Sequence, residues 1–114
     1  MSIVRELHDK AMGFAQDAIV LRHHGKMEKA EALTRKAMEL EIEAAGMIPC
    51  SKDSEPSYSI MYLSAASLAL QCNDPRVGEL ADKGLLGYPS EYIRTELEML
   101  KQGAVVLSRP VGAA

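Results

Sequence analysis

The feature that most limits the fold of this chain is the spacing of its apolar residues, which recur at steps of three and four. These positions are Val4, Leu7, Ala11, Phe14, Ala18 and Leu21, followed by Met27, Ala30, Leu33, Ala37, Leu40 and Ala44. Such steps place side chains on one face of an α-helix. The spacing therefore predicts helix 1 over about residues 3–23 and helix 2 over about residues 27–46. Gly25 suits the turn between them, because glycine readily adopts the left-handed conformation that often follows a helix.

A third helix is predicted after a loop. Residues 47–56 have no apolar period and contain two prolines, which is typical of a loop of about ten residues. Asp53 or Ser54 can cap the helix that follows, and Pro56 is tolerated in its first turn. Helix 3 then runs to about Gln71 and carries almost no charge, so we expect it to pack against neighbours on more than one side.

Two further helices and a tail complete the predicted all-α fold of five helices. Asp74 followed by Pro75 combines a capping carboxylate with a proline at the first helical position, and helix 4 is expected to close at Gly87. Helix 5 is expected to end at Gly103. Residues 104–114 are predicted to form an extended or disordered arm. Its apolar part, 105–107, either packs on helix 5 or frays, or it lies in a groove of its own or of a neighbouring protomer and closes a dimer.

The composition suits one domain and excludes several classes of partner. With 114 residues, of which 47% are hydrophobic, the chain can bury a core without a metal or a disulfide. The formal net charge of −3 comes from interspersed acids and bases, which argues against nucleic acid as a partner. The longest apolar stretch, 60–70, is shorter than the roughly 20 residues that span a bilayer, and no secretory signal is apparent. Two distant cysteines suit free thiols in a reducing compartment, so a cytoplasmic protein is expected.

No enzyme motif is present, so neither catalysis nor a cofactor is predicted. The adjacent histidines His23 and His24 point about 100 degrees apart on a helix and cannot jointly face one ion. Neither Cys50 nor Cys72 has a neighbouring histidine that would signal an activated thiolate, although Lys52 lies close to Cys50. We therefore expect no metal site and no catalytic residue.

Two pairs of helices carry small and apolar residues in corresponding places. They are Phe14, Ala18, Leu21, Gly25, Ala30 and Ala37 in the first pair, and Met61, Ala65, Leu68, Val77, Ala81, Gly84, Leu85 and Pro89 in the second. The pattern resembles the tetratricopeptide repeat (TPR) over roughly residues 5–101, with helix 5 as the capping helix that a solenoid requires. The resemblance implies a right-handed stack of antiparallel helix hairpins, forming a single TPR-like domain over residues 1–103. It also implies small residues where paired helices cross, here Ala18, Ala30, Ala37, Ala65, Ala81 and Gly84.

The same resemblance implies a function in protein binding. Such repeats receive a peptide or a helix of another protein on a concave face, lined by the first helix of each pair. The corresponding residues here are Met12, Ala15, Ile19, Arg22 and His23 on helix 1, and Ser59, Tyr62, Ala66 and Ala69 on helix 3. Ala15, Ile19 and Ala66 stand where chaperone-binding members carry a carboxylate clamp, so an apolar helix or peptide is the expected partner.

Three other interpretations stay open at this point. The groove residues can equally be plain core. The chain can be a self-assembling structural subunit, such as a homodimer, that buries Tyr62, Met61 and the tail against a copy of itself. A helical protein that binds a small ligand or a metal, or acts as a catalyst, at the His23 and His24 end is the most distant alternative.

Overall fold

The computed structural model describes residues 2–107, and this part of the chain contains helices and no strand. The five α-helices are α1 (Ile3–His23), α2 (Met27–Gly46), α3 (Ser57–Gln71), α4 (Val77–Leu85) and α5 (Glu91–Leu107), and a short 3-10 helix covers Lys52–Ser54. The predicted all-α fold class with five α-helices is therefore confirmed for the described residues. None of these helices combines the length and the hydropathy needed to cross a membrane.

The first hairpin follows its sequence signals closely. Ser2 caps α1, because its Oγ accepts a hydrogen bond from the Arg5 N–H at 3.1 Å. Gly25 has a φ of 76°, the left-handed conformation that glycine adopts without a Cβ penalty. The N–H of Lys26 then donates to the Leu21 carbonyl at 2.9 Å, which closes the end of α1. The predicted bounds of α1 and α2 and the turn at Gly25 are confirmed.

The start of α3 differs from the prediction. Asp53 and Ser54 belong to the 3-10 helix, and Pro56 is the N-cap residue instead of a residue of the first turn. Glu55 takes over the capping role, since its Oε1 accepts a hydrogen bond from the Ser59 N–H at 3.0 Å. A proline has no N–H to donate and no polar side chain, so the residue before it satisfies the free N–H of the first turn.

The start of α4 is also shifted. Asp74 accepts a hydrogen bond from the Arg76 N–H at 2.9 Å, within the turn that precedes the helix, so it does not cap α4 as predicted. α4 begins only at Val77, with Arg76 as its N-cap residue, and ends at Leu85 before the predicted Gly87. Pro75 is therefore part of the connecting turn and not the first residue of the helix.

The fifth helix is longer than predicted. It continues through Gly103 to Leu107, so the expected helix end at Gly103 and the extended conformation expected from residue 104 onward are wrong for 104–107. Packing explains the difference, because Ala104 lies against the core and a Cβ added at Gly78 would be 3.4 Å from the Ala104 Cβ. The rest of the predicted arm, 108–114, lies outside the described residues.

The helices pack largely in chain order, with α3 in the middle. α1 packs against α2 and α2 against α3, while α3, α4 and α5 all pack against one another. The fold is flat, with extents of 42 × 38 × 19 Å. Eight residues of α3 are buried, which are Tyr58, Ser59, Met61, Tyr62, Ala65, Ala66, Leu68 and Ala69. The expectation that this uncharged helix packs on more than one side is confirmed.

The residues predicted at helix crossings are all buried. Ala18, Ala30, Ala37, Ala65 and Ala81 have no exposed surface, and Gly84 is buried too. A Cβ added at Gly84 would lie 3.0 Å from Leu97 of α5 and 3.2 Å from the Cβ of Tyr62 in α3. Glycine thus permits a close approach of three helices at this point.

Candidate functional site

The nine residues predicted to line a concave groove divide into two groups. On α1, Ile19 and His23 are exposed, and Met12 and Ala15 are half-buried. Arg22 is half-buried as well, and its Nη2 donates a hydrogen bond of 2.9 Å to the Thr34 Oγ1. The α1 residues are therefore accessible in part, and the guanidinium of Arg22 is already bound within the hairpin.

The α3 group lies in the core, which corrects the predicted groove on that side. Ser59, Tyr62, Ala66 and Ala69 are all buried. The Ser59 hydroxyl donates to Glu55 at 2.7 Å, and the Tyr62 side chain packs beside Gly84. The physical reason is that these positions face α4 and α5, since a nearly uncharged helix is covered on several sides. A partner cannot contact them unless the bundle opens.

A large open cavity lies elsewhere, on the surface of the first hairpin. Its volume is about 590 Å³, and it is lined by Lys10, Phe14, Ala32, Arg35, Lys36, Glu39 and Leu40, which together are named the α1–α2 groove. This volume lies within the range of ordinary ligand pockets, about 300–1,000 Å³. Phe14 and Leu40 belong to the apolar stripes of their helices, so the sequence pattern assigned them to the core. Both are in fact only half-buried.

Two cations of the groove have no acidic partner. Lys10 and Lys36 form no ion pair or hydrogen bond within the described part of the chain. The Nζ of Lys36 lies 5.8 Å from the centre of the Phe14 ring, an arrangement that permits a cation–π contact. The groove therefore combines an apolar floor with two ammonium groups that are free to pair with a carboxylate.

The other two charged residues of the groove are already engaged. Arg35 donates to Asp74 at 2.7 Å and to the Cys72 carbonyl at 2.9 Å, and Glu39 is ion-paired with Arg76. These contacts tie α2 to the turn between α3 and α4. The charge left for a ligand is consequently positive, although the whole chain is acidic.

Asp74 is the centre of the ion-pair cluster that it forms with Arg35 and Arg76. Its carboxylate is buried and accepts hydrogen bonds from both Arg35 and Arg76. The hydrogen bonds from the Arg76 side chain lower the pKa of Asp74 to about 2, against the opposing effect of burial. The cluster is thus a structural link that is charged at neutral pH, and its guanidinium groups are not free for a ligand.

A fully buried carboxylate lies between α1 and α2. Glu41 Oε1 is 2.9 Å from the Nδ1 of His8, while Glu41 Oε2 has no hydrogen-bond partner in the described part of the chain. Glu39, Glu41 and Glu43 alternate along α2, a spacing that spreads carboxylates over the surface of a helix, yet Glu41 has no exposed surface. The pairing with His8 could not be found from local spacing, since 33 residues separate the two.

A further polar cluster, centred on Glu55, joins the loop before α3 to the turn after α4. Glu55 Oε2 accepts hydrogen bonds from the Ser59 hydroxyl at 2.7 Å and from the Tyr88 N–H at 2.6 Å. The pKa of Glu55 is lowered overall, because the hydrogen bonds from Ser59 and Tyr88 outweigh the opposing effect of burial. The Tyr58 hydroxyl donates to the Lys83 carbonyl at 2.8 Å, and burial raises its pKa. The polar groups of this cluster all have hydrogen-bond partners within the protein, so the cluster has a structural role.

The cysteines and potential metal ligands show no assembled centre. Cys50 is exposed and Cys72 is buried, and both are free thiols. Burial raises the pKa of Cys72, which keeps it protonated and unreactive. Among the described residues, no three His, Cys, Asp or Glu side chains come close enough to hold a metal ion together.

The chain was also compared with known proteins. No protein-family model, no curated protein and no solved structure matches it. The class of protein is therefore defined by its own fold and surface: an all-helical protein with an apolar, cation-flanked groove on its first hairpin.

Proposed function

We propose that this chain is a non-catalytic protein-interaction module whose α1–α2 groove binds an amphipathic helix or peptide of a partner protein. The observation that carries the proposal is the groove itself, with Phe14 and Leu40 accessible and with Lys10 and Lys36 unpaired beside them. Apolar side chains of a ligand would pack on Phe14 and Leu40. Acidic side chains next to them would pair with the two ammonium groups, which fixes orientation and speeds association.

The chemistry of the partner follows from the charges that remain free. Arg35 and Glu39 are engaged with residues near the start of α4 and contribute no net charge. A segment that carries both apolar and acidic residues would pack on the apolar floor and pair with both lysines. A basic segment would be repelled by the lysines. The groove thus favours an acidic apolar segment over the purely apolar one implied by the TPR resemblance.

Two broader expectations stay part of this proposal. We propose that the helices are arranged as the right-handed stack of antiparallel hairpins that the TPR resemblance implies, supported by the buried small residues at Ala30, Ala37 and Ala81. We also propose a cytoplasmic setting, supported by two free thiols in so short a chain.

Two synthetic helical peptides provide the test. They share length and apolar positions and differ only in whether the flanking residues are glutamate or lysine. We expect fluorescence anisotropy to detect binding of the acidic peptide only, with affinity that falls as salt rises. In a two-dimensional amide NMR spectrum, the shifts should concentrate around Phe14 and Leu40.

Matched variants distinguish the α1–α2 groove from the concave face that the TPR resemblance predicts on α1. Phe14→Ala should weaken binding of the acidic peptide by about tenfold or more, as expected for an aromatic contact. Ile19→Ala removes an equally apolar side chain from another face of the same helix and should leave binding unchanged. Equal binding of both peptides, or a larger loss in Ile19→Ala, would contradict the proposed function.

A further inference from the structure

The exposed face of α5 carries acidic and apolar residues that no other element within 2–107 covers. Tyr92 is 72% exposed and Met99 is 59% exposed, and they lie on one side of the helix because seven residues separate them. Glu91 and Glu98 repeat at the same spacing directly beside them, with Thr95 between. We name these five residues the α5 stripe. Within the described residues, neither glutamate side chain is ion-paired or hydrogen-bonded.

The α5 stripe matches the α1–α2 groove in chemistry and length. The groove extends along α2 from Ala32 to Leu40, which is about 12 Å at the helical rise, and Tyr92 and Met99 are about 10 Å apart along their axis. Each surface therefore covers two helical turns. Both surfaces carry apolar side chains beside charged ones, with two unpaired ammonium groups on the groove. On the stripe, two carboxylates stand outside any ion pair, although Glu98 lies within electrostatic reach of Lys101.

One protomer cannot bring these two surfaces together. α5 packs on α3 and α4, whereas α1 packs chiefly on α2, so the stripe and the groove lie on opposite ends of the helix order. We propose that the α1–α2 groove binds the α5 stripe of a second copy of this chain. This inference rests on the proposed function and names the partner of that same groove.

Symmetry makes the second copy a favourable partner. Each protomer presents one groove and one stripe, so a twofold dimer can form the contact twice. Two contacts bury twice the surface of one, which favours association because a stable interface buries roughly 800 Å² per partner. The two lysines and two glutamates also determine which surfaces pair. A stripe attracts a groove, whereas two stripes repel each other because both are acidic.

The experiment uses the full chain and two charge-reversal variants. Sedimentation velocity over a wide range of concentration should show that the mass of the wild type rises with concentration. The groove variant Lys10→Glu/Lys36→Glu should remain monomeric, and so should the stripe variant Glu91→Lys/Glu98→Lys. An equal mixture of the two variants should associate again, because the reversed groove of one then faces the reversed stripe of the other.

A matched control separates this result from a general effect of charge. Lys26→Glu/Lys29→Glu makes the same change in charge at exposed positions outside the groove and should associate like the wild type. Circular dichroism of each variant checks that it is folded. If both variants are folded by this measure, failure of their mixture to associate would overturn the proposal.

The outcomes also separate this inference from the proposed function. A wild type that remains monomeric at the highest concentration would overturn the second copy as partner. So would a dimer that survives both charge reversals. If the acidic peptide still binds around Phe14 in either case, the proposed function stands and the partner is a different protein.

Discussion

Asp74 shows how one buried carboxylate connects three helices of this protein. It lies in the turn between α3 and α4, binds Arg35 of α2 at 2.7 Å and binds Arg76 at the start of α4 at 2.9 Å. The sequence signal of aspartate before proline predicted a helix cap, but Asp74 instead binds the N–H of Arg76 in the turn before α4. The signal contained no information on Arg35, because that contact spans 39 residues.

The charge of Asp74 should make folding stability depend on acid. Its pKa is lowered from the ordinary 3.8 to about 2, chiefly by the Arg76 side chain, so the folded protein binds the proton more weakly than the unfolded chain. The stabilisation is therefore complete above the unfolded pKa and is lost as the pH falls through the folded value. Urea unfolding should show this loss between about pH 4 and pH 2.

The variant Asp74→Asn tests that assignment. At neutral pH it should lower the free energy of unfolding by about 3 kcal/mol, since a buried charge-assisted network is broken. The difference from the wild type should shrink toward pH 2. Asp17→Asn, at an exposed position, should change little at any pH. A constant difference for Asp74→Asn across this range would show that the carboxylate charge is not the cause.

Glu55 illustrates a residue whose role sequence reasoning missed. The prediction assigned the cap of α3 to Asp53 or Ser54, which are good capping residues by type. Glu55 instead accepts hydrogen bonds from Ser59, four residues away, and from Tyr88, 33 residues away. Only the folded chain brings the turn after α4 to this carboxylate, so no local pattern could identify it.

At the scale of helices, the close packing of α3, α4 and α5 depends on a residue without a side chain. Gly84 leaves 3.0 Å between a hypothetical Cβ and Leu97, which is tighter than an ordinary contact. Gly84→Val should therefore overpack this crossing and cost about 1–3 kcal/mol of stability. Thermal denaturation followed by circular dichroism measures the effect.

The control for this prediction is a glycine inside another helix. A Cβ added at Gly13 of α1 meets nothing within 4 Å, so Gly13→Val should be close to neutral, because valine forms helices slightly better than glycine. If Gly84→Val melted at the same temperature as Gly13→Val, the crossing would tolerate more volume than the structure implies.

The helix bounds show which sequence signals were sufficient and which were not. Periodicity and Gly25 predicted α1 and α2 within the first hairpin. Gly103 was taken as a helix end, but α5 continues to Leu107, because packing of Ala104 against the core offsets the weak helix propensity of one glycine. A single breaker residue is thus a poorer guide where tertiary contacts support the next turn.

At the scale of the whole molecule, local stability against unfolding should differ between helices, with α1 less stable than α3. α1 packs chiefly on α2 and has only Ala11 and Ala18 buried, whereas α3 packs on three helices. Hydrogen exchange should therefore be faster for the amides of α1 than for those of α3, because a helix with few buried contacts opens locally at lower cost. Equal protection of both helices would mean that the five helices unfold as one unit.

The sequence by itself determined the all-helical class, the first hairpin and the burial of the small residues, because these follow from local periodicity and propensity. Only the tertiary structure decided where a partner can bind. It buried Ser59 and Tyr62, which were predicted to line a groove, and left Phe14 and Leu40 of the apolar stripes only half-buried. The physical reason is that periodicity identifies a face of a helix, while the packing of its neighbours determines whether that face is covered.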